Sequence, residues 1–403
     1  RSRLASHELL AARSLRSRNP MLFVRLTNGY AKCDCLTATT PCSRPCTLDM
    51  TDDRIRIVLL ADTHLGYDFP VRPRVERRRR GPDFFDKFQR VLDHATRTKP
   101  DMLIHGGDFF FRARVPPKIV DMSYEMLYKF AQSGIPTLIV PGNHERSRLP
   151  PSIWLGHPNI LVFDRPKTYR IETKNGSVAV AGFPFVRGDL HEQFGPVLDE
   201  TGWEDEPADV KLLCMHQAIQ GAQVGANNYT FRTANDVVQM AQIPPEFDAL
   251  LAGHIHRAQI LKRPRADDDM PVIYPGSTER TSFAERYEPK GFYEIDIVKN
   301  PDGGRRSVEA RFHELPVRPM VDVAIDDIVS PDELNSFLRE EAAEIDANAV
   351  VRITCENELA NTIHDRLTAS FLRSVFPATM SVQLGVNLYG EERRSRSGSR
   401  RRS

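Results

Sequence analysis

Eight side chains able to hold divalent metals, or to work beside them, fall at the ends of apolar runs: Asp62 and His64, Asp108, Asn143 and His144, His216, and His254 and His256. The first pair closes the run Ile55-Arg56-Ile57-Val58-Leu59-Leu60-Ala61 and is followed by Gly66. Carboxylate and amide oxygens with imidazole nitrogens form a donor set suited to divalent metals. Two such ions about 3.5–4 Å apart, sharing one carboxylate, form a clamp for phosphoester hydrolysis. A single Asp-x-His is a weak signal, because a histidine near a strand end is more often structural or exposed. Five segments built the same way in one chain are a strong one. His94, His105 and His157 lie outside these segments and read as incidental.

Such residues work together only if strands deliver them to one edge of a sheet, as in α/β folds where chemistry sits at strand carboxyl ends. The run 55–61 has the length and continuous apolarity of a strand buried on both faces. Asp83 to Thr98 has helical spacing, with Phe84, Phe85, Phe88, Val91, Leu92 and Ala95 on one face. Met102-Leu103-Ile104 leads to Asp108, a helix is predicted from Pro117 to Gln132, and Thr137-Leu138-Ile139-Val140 leads to Asn143 and His144. This β-α-β-α-β order predicts a largely parallel sheet. Further strands are predicted at 160–163, 167–173, 178–184, near 272–275 and at 291–298. Val210–Met215 ends at His216, and Ala249–Ala252 ends at Gly253 and His254. Beyond 317, strand 320–325, helix 331–345, strand 349–354, helix 357–375 and strand 381–388 predict a small α+β domain.

The formal net charge of +1 is unevenly placed. Residues 1–49 carry 8 basic and 3 acidic residues, 391–403 carry 6 and 2, and 50–390 carry 41 and 49. An acidic body argues against binding nucleic acid through its overall field; bound divalent cations would offset part of that charge. No apolar run is long enough to span a bilayer. Of six cysteines only Cys214 and Cys355 lie in the body, which fits a reducing, cytoplasmic setting without structural disulfides. Cys33, Cys35, Cys42 and Cys46 crowd into the first segment, where the C-x2-C pairs usual for a zinc knot are missing. Residues 1–49 are set aside from the fold as a leader, with Met50 read as the natural start and a transit-type peptide as the alternative. Residues 391–403 read as a disordered Arg/Ser tail.

Asp-x-His, Gly-Gly-Asp (106–108), Gly-Asn-His-Glu (142–145), the single His216 and Gly-His-x-His (253–256), in this order, resemble the calcineurin-like metallophosphoesterases. The form Asp62-Thr63-His64-Leu65-Gly66 and the segment Tyr274-Pro275-Gly276-Ser277-Thr278-Glu279-Arg280-Thr281-Ser282-Phe283 narrow the resemblance to SbcD-type DNA repair exonucleases. The resemblance implies an α/β fold: a calcineurin-like β-sandwich of two mixed sheets flanked by helices over 50–316, then a small C-terminal α+β capping domain over 317–390. It implies two divalent ions, of which Mn2+ is the expected kind. Asp62, His64 and His256 would hold one, Asn143, His216 and His254 the other, and Asp108 would bridge. His144 would protonate the leaving oxygen. Glycines 107, 142 and 253 would give the backbone room for sharp turns beside these ligands.

The implied activity is a DNA phosphodiesterase, a 3′–5′ exonuclease with endonuclease action on single strands. The implied partners are DNA, an SbcC-type ATPase and a second copy of the chain; in that family the ATPase docks on helices beyond the capping domain, where this chain has its Arg/Ser tail. A phosphoesterase for a nucleotide or other small phosphoester is the alternative, and a non-catalytic DNA-end scaffold a third. The segment 274–283 and the separate C-terminal domain favour DNA. Arg72, Arg74, Arg77, Arg78, Arg79 and Arg80 follow the first ligand segment and are expected to contact DNA phosphates, against the alternative of a solvated loop. Two departures from the family pattern stand out. Phe111 occupies a place where many members carry a His or Asp, and Glu145 replaces the commoner Asp after the catalytic His.

Overall fold

The computed structural model describes residues 53–69, 79–225, 227–262, 270–300, 306–356, 360–385 and 388. The cysteine cluster, the tail, and Arg72, Arg74, Arg77 and Arg78 lie outside the described residues. The chain from Thr51 onward forms one compact unit.

The elements run β1 (Arg54–Leu60), α1 (Gly81–Thr98), β2 (Met102–His105), α2 (Pro117–Ala131), β3 (Thr137–Ile139), β4 (Ile160–Val162), β5 (Lys167–Thr173), β6 (Gly176–Gly182), α3 (Leu190–Asp199) and β7 (Val210–His216). Four two-residue strands follow, β8 (Ala218–Ile219), β9 (Gln223–Val224), β10 (Tyr229–Thr230) and β11 (Val237–Val238). Then come β12 (Ala249–Gly253), β13 (Gln259–Lys262), β14 (Pro271–Tyr274), β15 (Gly291–Val298) and β16 (Ser307–Glu314). The chain continues with β17 (Met320–Ala324), α4 (Pro331–Glu344), β18 (Val350–Thr354), α5 (Asn361–His364), α6 (Ala369–Val375) and β19 (Ser381–Leu384).

Two six-stranded mixed sheets, ordered β16-β15-β1-β2-β3-β4 and β13-β14-β12-β7-β6-β5, pack face to face. Strand periodicity sorts the layers, since successive side chains point to opposite faces. Ile55, Ile57 and Leu59 of β1 meet Val178, Val180, Leu212, Cys214 and Leu251 between the sheets. Val58 and Leu60 point outward and are covered by Phe84, Phe88, Val91 and Leu92 of α1. Leu213, Met215, Leu250 and Val272 cover the outer face of the second sheet with Phe194 and Leu198 of α3. β1, β2 and β3 are parallel, as are β6, β7 and β12, so the ligand-bearing strand ends share an edge.

The third sheet, β17-β18-β19, is parallel and has its own core with α4, α5 and α6. It docks through Met320 and Val350 onto Phe283, while Asp322 accepts hydrogen bonds from Arg286 and Arg352. The helix predicted over 357–375 is two short helices, because Thr368 leaves helical geometry to accept the N–H of Phe371 and start α6 anew. The sequence reading missed α3, which carries Gly195 and Pro196 inside its span, and the edge strands β13 and β16. Among the described residues no helix is long and apolar enough to cross a membrane.

The expected phosphate contact by Arg80 needs correction. Its guanidinium is buried, donating to Glu279 Oε1 at 3.2 Å and to the Arg280 carbonyl at 2.7 Å, between the rings of Tyr67 and Phe84. Arg79 pairs with Asp68 at 2.8 Å and stays partly exposed. A charge run in sequence does not reveal which member turns inward to neutralise a buried carboxylate. Arg80→Ala leaves Glu279 buried and unpaired, and should lower the unfolding free energy by about 3–5 kcal/mol. Urea denaturation checks this, with Arg79→Ala as the near-neutral control; equal effects would return Arg80 to the surface.

Candidate metal centre

The ligand loops are laced together before any side chain is considered. The N–H groups of Asp62 and His64 donate to the carbonyls of Gly107 and Asp108 at 2.8 and 3.0 Å, so the first two loops run side by side. Glu145 ties the second loop to the third, accepting the N–H of Phe110 at 2.6 Å and of Gly142 at 3.0 Å. Asp108 Oδ1 accepts the His144 N–H at 2.9 Å. These turns force left-handed backbone on Asp62, His64, Asp108 and His254, with φ of 52°, 44°, 53° and 86°. Such conformations in non-glycine residues cost about 1–3 kcal/mol each and cluster at functional sites. A Cβ at Gly107, itself at φ +111°, would overlap the His216 ring, and one at Gly142 would overlap the Asp108 carboxylate.

All eight side chains singled out in the sequence meet in one place. His64 Nε2 and His256 Nε2 face each other at 3.0 Å, with Asp62 Oδ1 at 4.0 and 3.7 Å from them. Asn143 Oδ1 lies 3.0 Å from His216 Nε2 and 3.1 Å from His254 Nδ1. Asp108 Oδ2 stands between the groups, 4.0 Å from His64 Nε2 and 3.4 Å from His216 Nε2.

This donor set fits cations. One hydrogen bond between His64 and His256 employs a single proton, and the buried Asp62 Oδ1 has no hydrogen-bond partner. A cation among them would satisfy all three. The electrostatics carry the same demand. Burial raises the Asp62 carboxyl, with Asp108 adding to it against His216 and His256. Burial also acts to raise Asp108, but His216, His64 and His144 outweigh it and hold that carboxyl well below the usual range. Burial disfavours a charged His216, yet Asp108 and Asp62 push its pKa up to about 9. Burial takes His254 down to about 3, toward the neutral form that ligates a metal.

His144 sits at the exposed rim of the cluster, one of its nitrogens within 4.8 Å of donor atoms of His64 and Asp108. Its Nδ1 lies 2.8 Å from the Phe111 carbonyl, which can only accept, so Nδ1 carries a proton and Nε2 faces the site 3.8 Å from Asp108 Oδ2. Its side chain is 35% exposed, against 3% or less for Asp62, His64, Asp108 and His216. Phe111 therefore orients His144 through its backbone, while its ring packs edge-on against Tyr67 and lies beside His144. Glu145 is a loop tie with its pKa raised to about 8, first by burial and then by Asp108. His105 braces the Gly107 turn, its Nε2 3.0 Å from Thr63 Oγ1 and its Nδ1 accepting the Gly107 N–H at 3.2 Å.

Two residues escaped the sequence reading. Glu285 Oε1 lies 3.2 Å from His256 Nδ1, behind the ring nitrogen that faces the site, and accepts from Thr281 Oγ1 at 2.7 Å. Lys290 is fully buried, pairs with Glu285 Oε2 at 2.7 Å and donates to the His256 carbonyl at 2.9 Å. The available signal was proximity to the 274–283 segment. A carboxylate behind a ligating histidine fixes its tautomer and ring orientation.

Residues 55–258 match the family model of the calcineurin-like phosphoesterases. The chain belongs to that family. Among its curated relatives is the DNA double-strand break repair protein Mre11 of Methanococcus maripaludis, 25% identical over 257 residues, covering 60% of this chain and 63% of the relative. The protein of that name from Haloferax volcanii is 30% identical over 314 residues, 75% of this chain and 62% of its own length. That of Archaeoglobus fulgidus is 25% identical over 287 residues, 66% of this chain and 61% of its own. The chain thus spans about three fifths of the length of these relatives.

If Glu285 orients His256, Glu285→Ala should weaken metal binding about 10–100-fold. Glu285→Gln, which keeps a hydrogen bond, should recover part of that loss. Calorimetric titration with Mn2+ measures both, and unchanged affinity in the alanine variant would reduce Glu285 to a packing residue.

Proposed function

We propose that this chain is a two-metal phosphodiesterase acting on DNA, a 3′–5′ exonuclease that also cuts single strands, using Mn2+. The observation that carries it is His144, its side chain 35% exposed and its Nε2 3.8 Å from Asp108 Oδ2, at the rim of a cluster in which Asp62, His64, Asp108 and His216 are buried. Asp62, His64 and His256 would hold one ion, Asn143, His216 and His254 the other, and Asp108 would be shared. The ions supply Lewis-acid polarisation of the phosphate and a lowered pKa for the attacking water. His144, fixed through Nδ1, delivers a proton from Nε2 of its imidazolium form to the leaving oxygen. Exposed arginines lie close by in the chain fold: Arg146 follows His144 by two residues, and Arg187 reaches the Asn143 carbonyl at 3.4 Å. They are the groups proposed to grip the flanking phosphates, in place of Arg80.

DNA is favoured over a small phosphoester by the relatives, which are repair proteins by name, and by the third sheet docked beside the site. We assign residues 317–390 a capping role, its contact on Phe283 lying two residues from Glu285. An SbcC-type ATPase and a second copy of the chain are the proposed protein partners.

Cleavage of end-labelled duplex DNA with Mn2+, run beside a nitrophenyl phosphodiester, tests this. Hydrolysis of the small ester alone would favour a nucleotide or other small substrate. His144→Asn should keep both ions and still bind DNA, yet cut it about 10²–10⁴-fold more slowly. The loss should be smaller on the nitrophenyl ester, whose leaving oxygen needs no proton. A lost ion would make His144 a ligand, and equal losses on both substrates would make it a phosphate-orienting group. Replacing Arg146 and Arg187 by Ala should make the salt dependence of DNA binding shallower, by up to about 0.9 log units per lost contact. An unchanged slope would remove both from the interface.

A further inference from the structure

His94, Glu294 and His313 form a second cluster on the outer face of the first sheet, away from the strand ends that carry the catalytic ligands. β15 and β16 pair antiparallel, with Phe292 opposite His313 and Glu294 opposite Arg311. His313 is thus diagonal to Glu294 on the face that meets α1, and His94 descends from α1 onto both. Its Nε2 lies 3.1 Å from Glu294 Oε2, and its ring centroid is 4.6 Å from that of His313. One nitrogen from each histidine and one Glu294 oxygen lie within 4.8 Å of one another. The other Glu294 oxygen is 3.7 Å from Arg56 Nε, whose hydrogen bonds go to Asp296, so the guanidinium only offsets part of the Glu294 charge.

The His94–Glu294 pair alone would be an ordinary ion pair. His313 makes it more. Its Nε2 is sealed from water and has no hydrogen-bond partner, while its ring is stacked on Phe292 at 5.1 Å and 9°. A buried polar atom left without a partner is costly and asks for an explanation. Arg311 lies across from Glu294 and cannot accept a hydrogen bond from an imidazole, and Phe292 offers only its face. We propose that His94, Glu294 and His313 bind a third divalent metal ion, of the zinc class, that pins α1 to the β15–β16 edge. Two imidazoles and one carboxylate are a common zinc donor set, with water as the fourth ligand. His94 keeps enough exposure, 15% of its side chain, for that water to enter. The ion would link residues far apart in sequence without touching the hydrolytic chemistry.

The test is a difference in metal content. The full chain, stripped with chelator, reloaded with Zn2+ and freed of unbound ion, should hold one more zinc per chain than His313→Ala or the near-isosteric Glu294→Gln. Zn2+ should raise the melting temperature of the parent more than that of either variant, because a ligand that binds only the folded state stabilises it. Asp108→Ala should lose zinc from the catalytic centre yet still show the one-ion difference when combined with Glu294→Gln. This separates failure of the third site from failure of the two-metal reading. Activity should be unchanged in His313→Ala and in Glu294→Gln. Equal zinc content in the parent and in a folded Glu294→Gln would overturn the proposal.

Discussion

Two carboxylates, Asp62 and Asp108, are buried at the edge of the sandwich, and the cost of burying their charge must be offset within a few ångströms. The structure around them is a response to that demand. Imidazoles from three other segments close in, and the loops that carry them are hydrogen-bonded loop to loop. Remove the demand for positive charge and there is little reason for His216, His254 and His256 to converge from strands so far apart in sequence. The sandwich serves this by parallel pairing: β1, β2 and β3 on one sheet and β7 and β12 on the other all end at the same edge.

Much of this was legible in the sequence because each ligand closes an apolar run. A strand that is buried on both faces announces itself by continuous apolarity, and the residue that follows it must lie at the sheet's edge. What could not be read were interactions with no local pattern. Lys290 in the sequence is one more lysine; only the fold reveals that it is buried to hold Glu285, which in turn stands behind His256. Arg80 sits in a run of arginines that reads as solvent-facing, and its inward turn depends on Glu279 arriving from almost two hundred residues away. His94 looked incidental for the same reason, since Glu294 and His313 reach it only through the register of β15 and β16.

The third sheet adds a mechanical link. Phe283, against which Met320 and Val350 pack, starts the short turn that ends in Glu285. Arg352 lies over the Phe283 ring at 4.3 Å and also holds Asp322, so the docking contact and the charge network share residues. Three residues of chain, Phe283 to Glu285, thus connect that sheet to the carboxylate behind His256.

The left-handed backbone at Asp62, His64, Asp108 and His254 bears on how such a chain can change over generations. Glycine would occupy each of these positions with less strain, and four strained residues at about 1–3 kcal/mol each compare with a whole folding free energy of about 5–15 kcal/mol. The proposed metal-holding role and foldedness therefore pull in opposite directions at the same four codons. A lineage released from hydrolysis would not simply decay there; it would be drawn toward glycine, gaining a more robust fold as it lost its chemistry. Silent descendants of this architecture should then be recognisable by sturdier folds whose former ligand turns have filled with glycine.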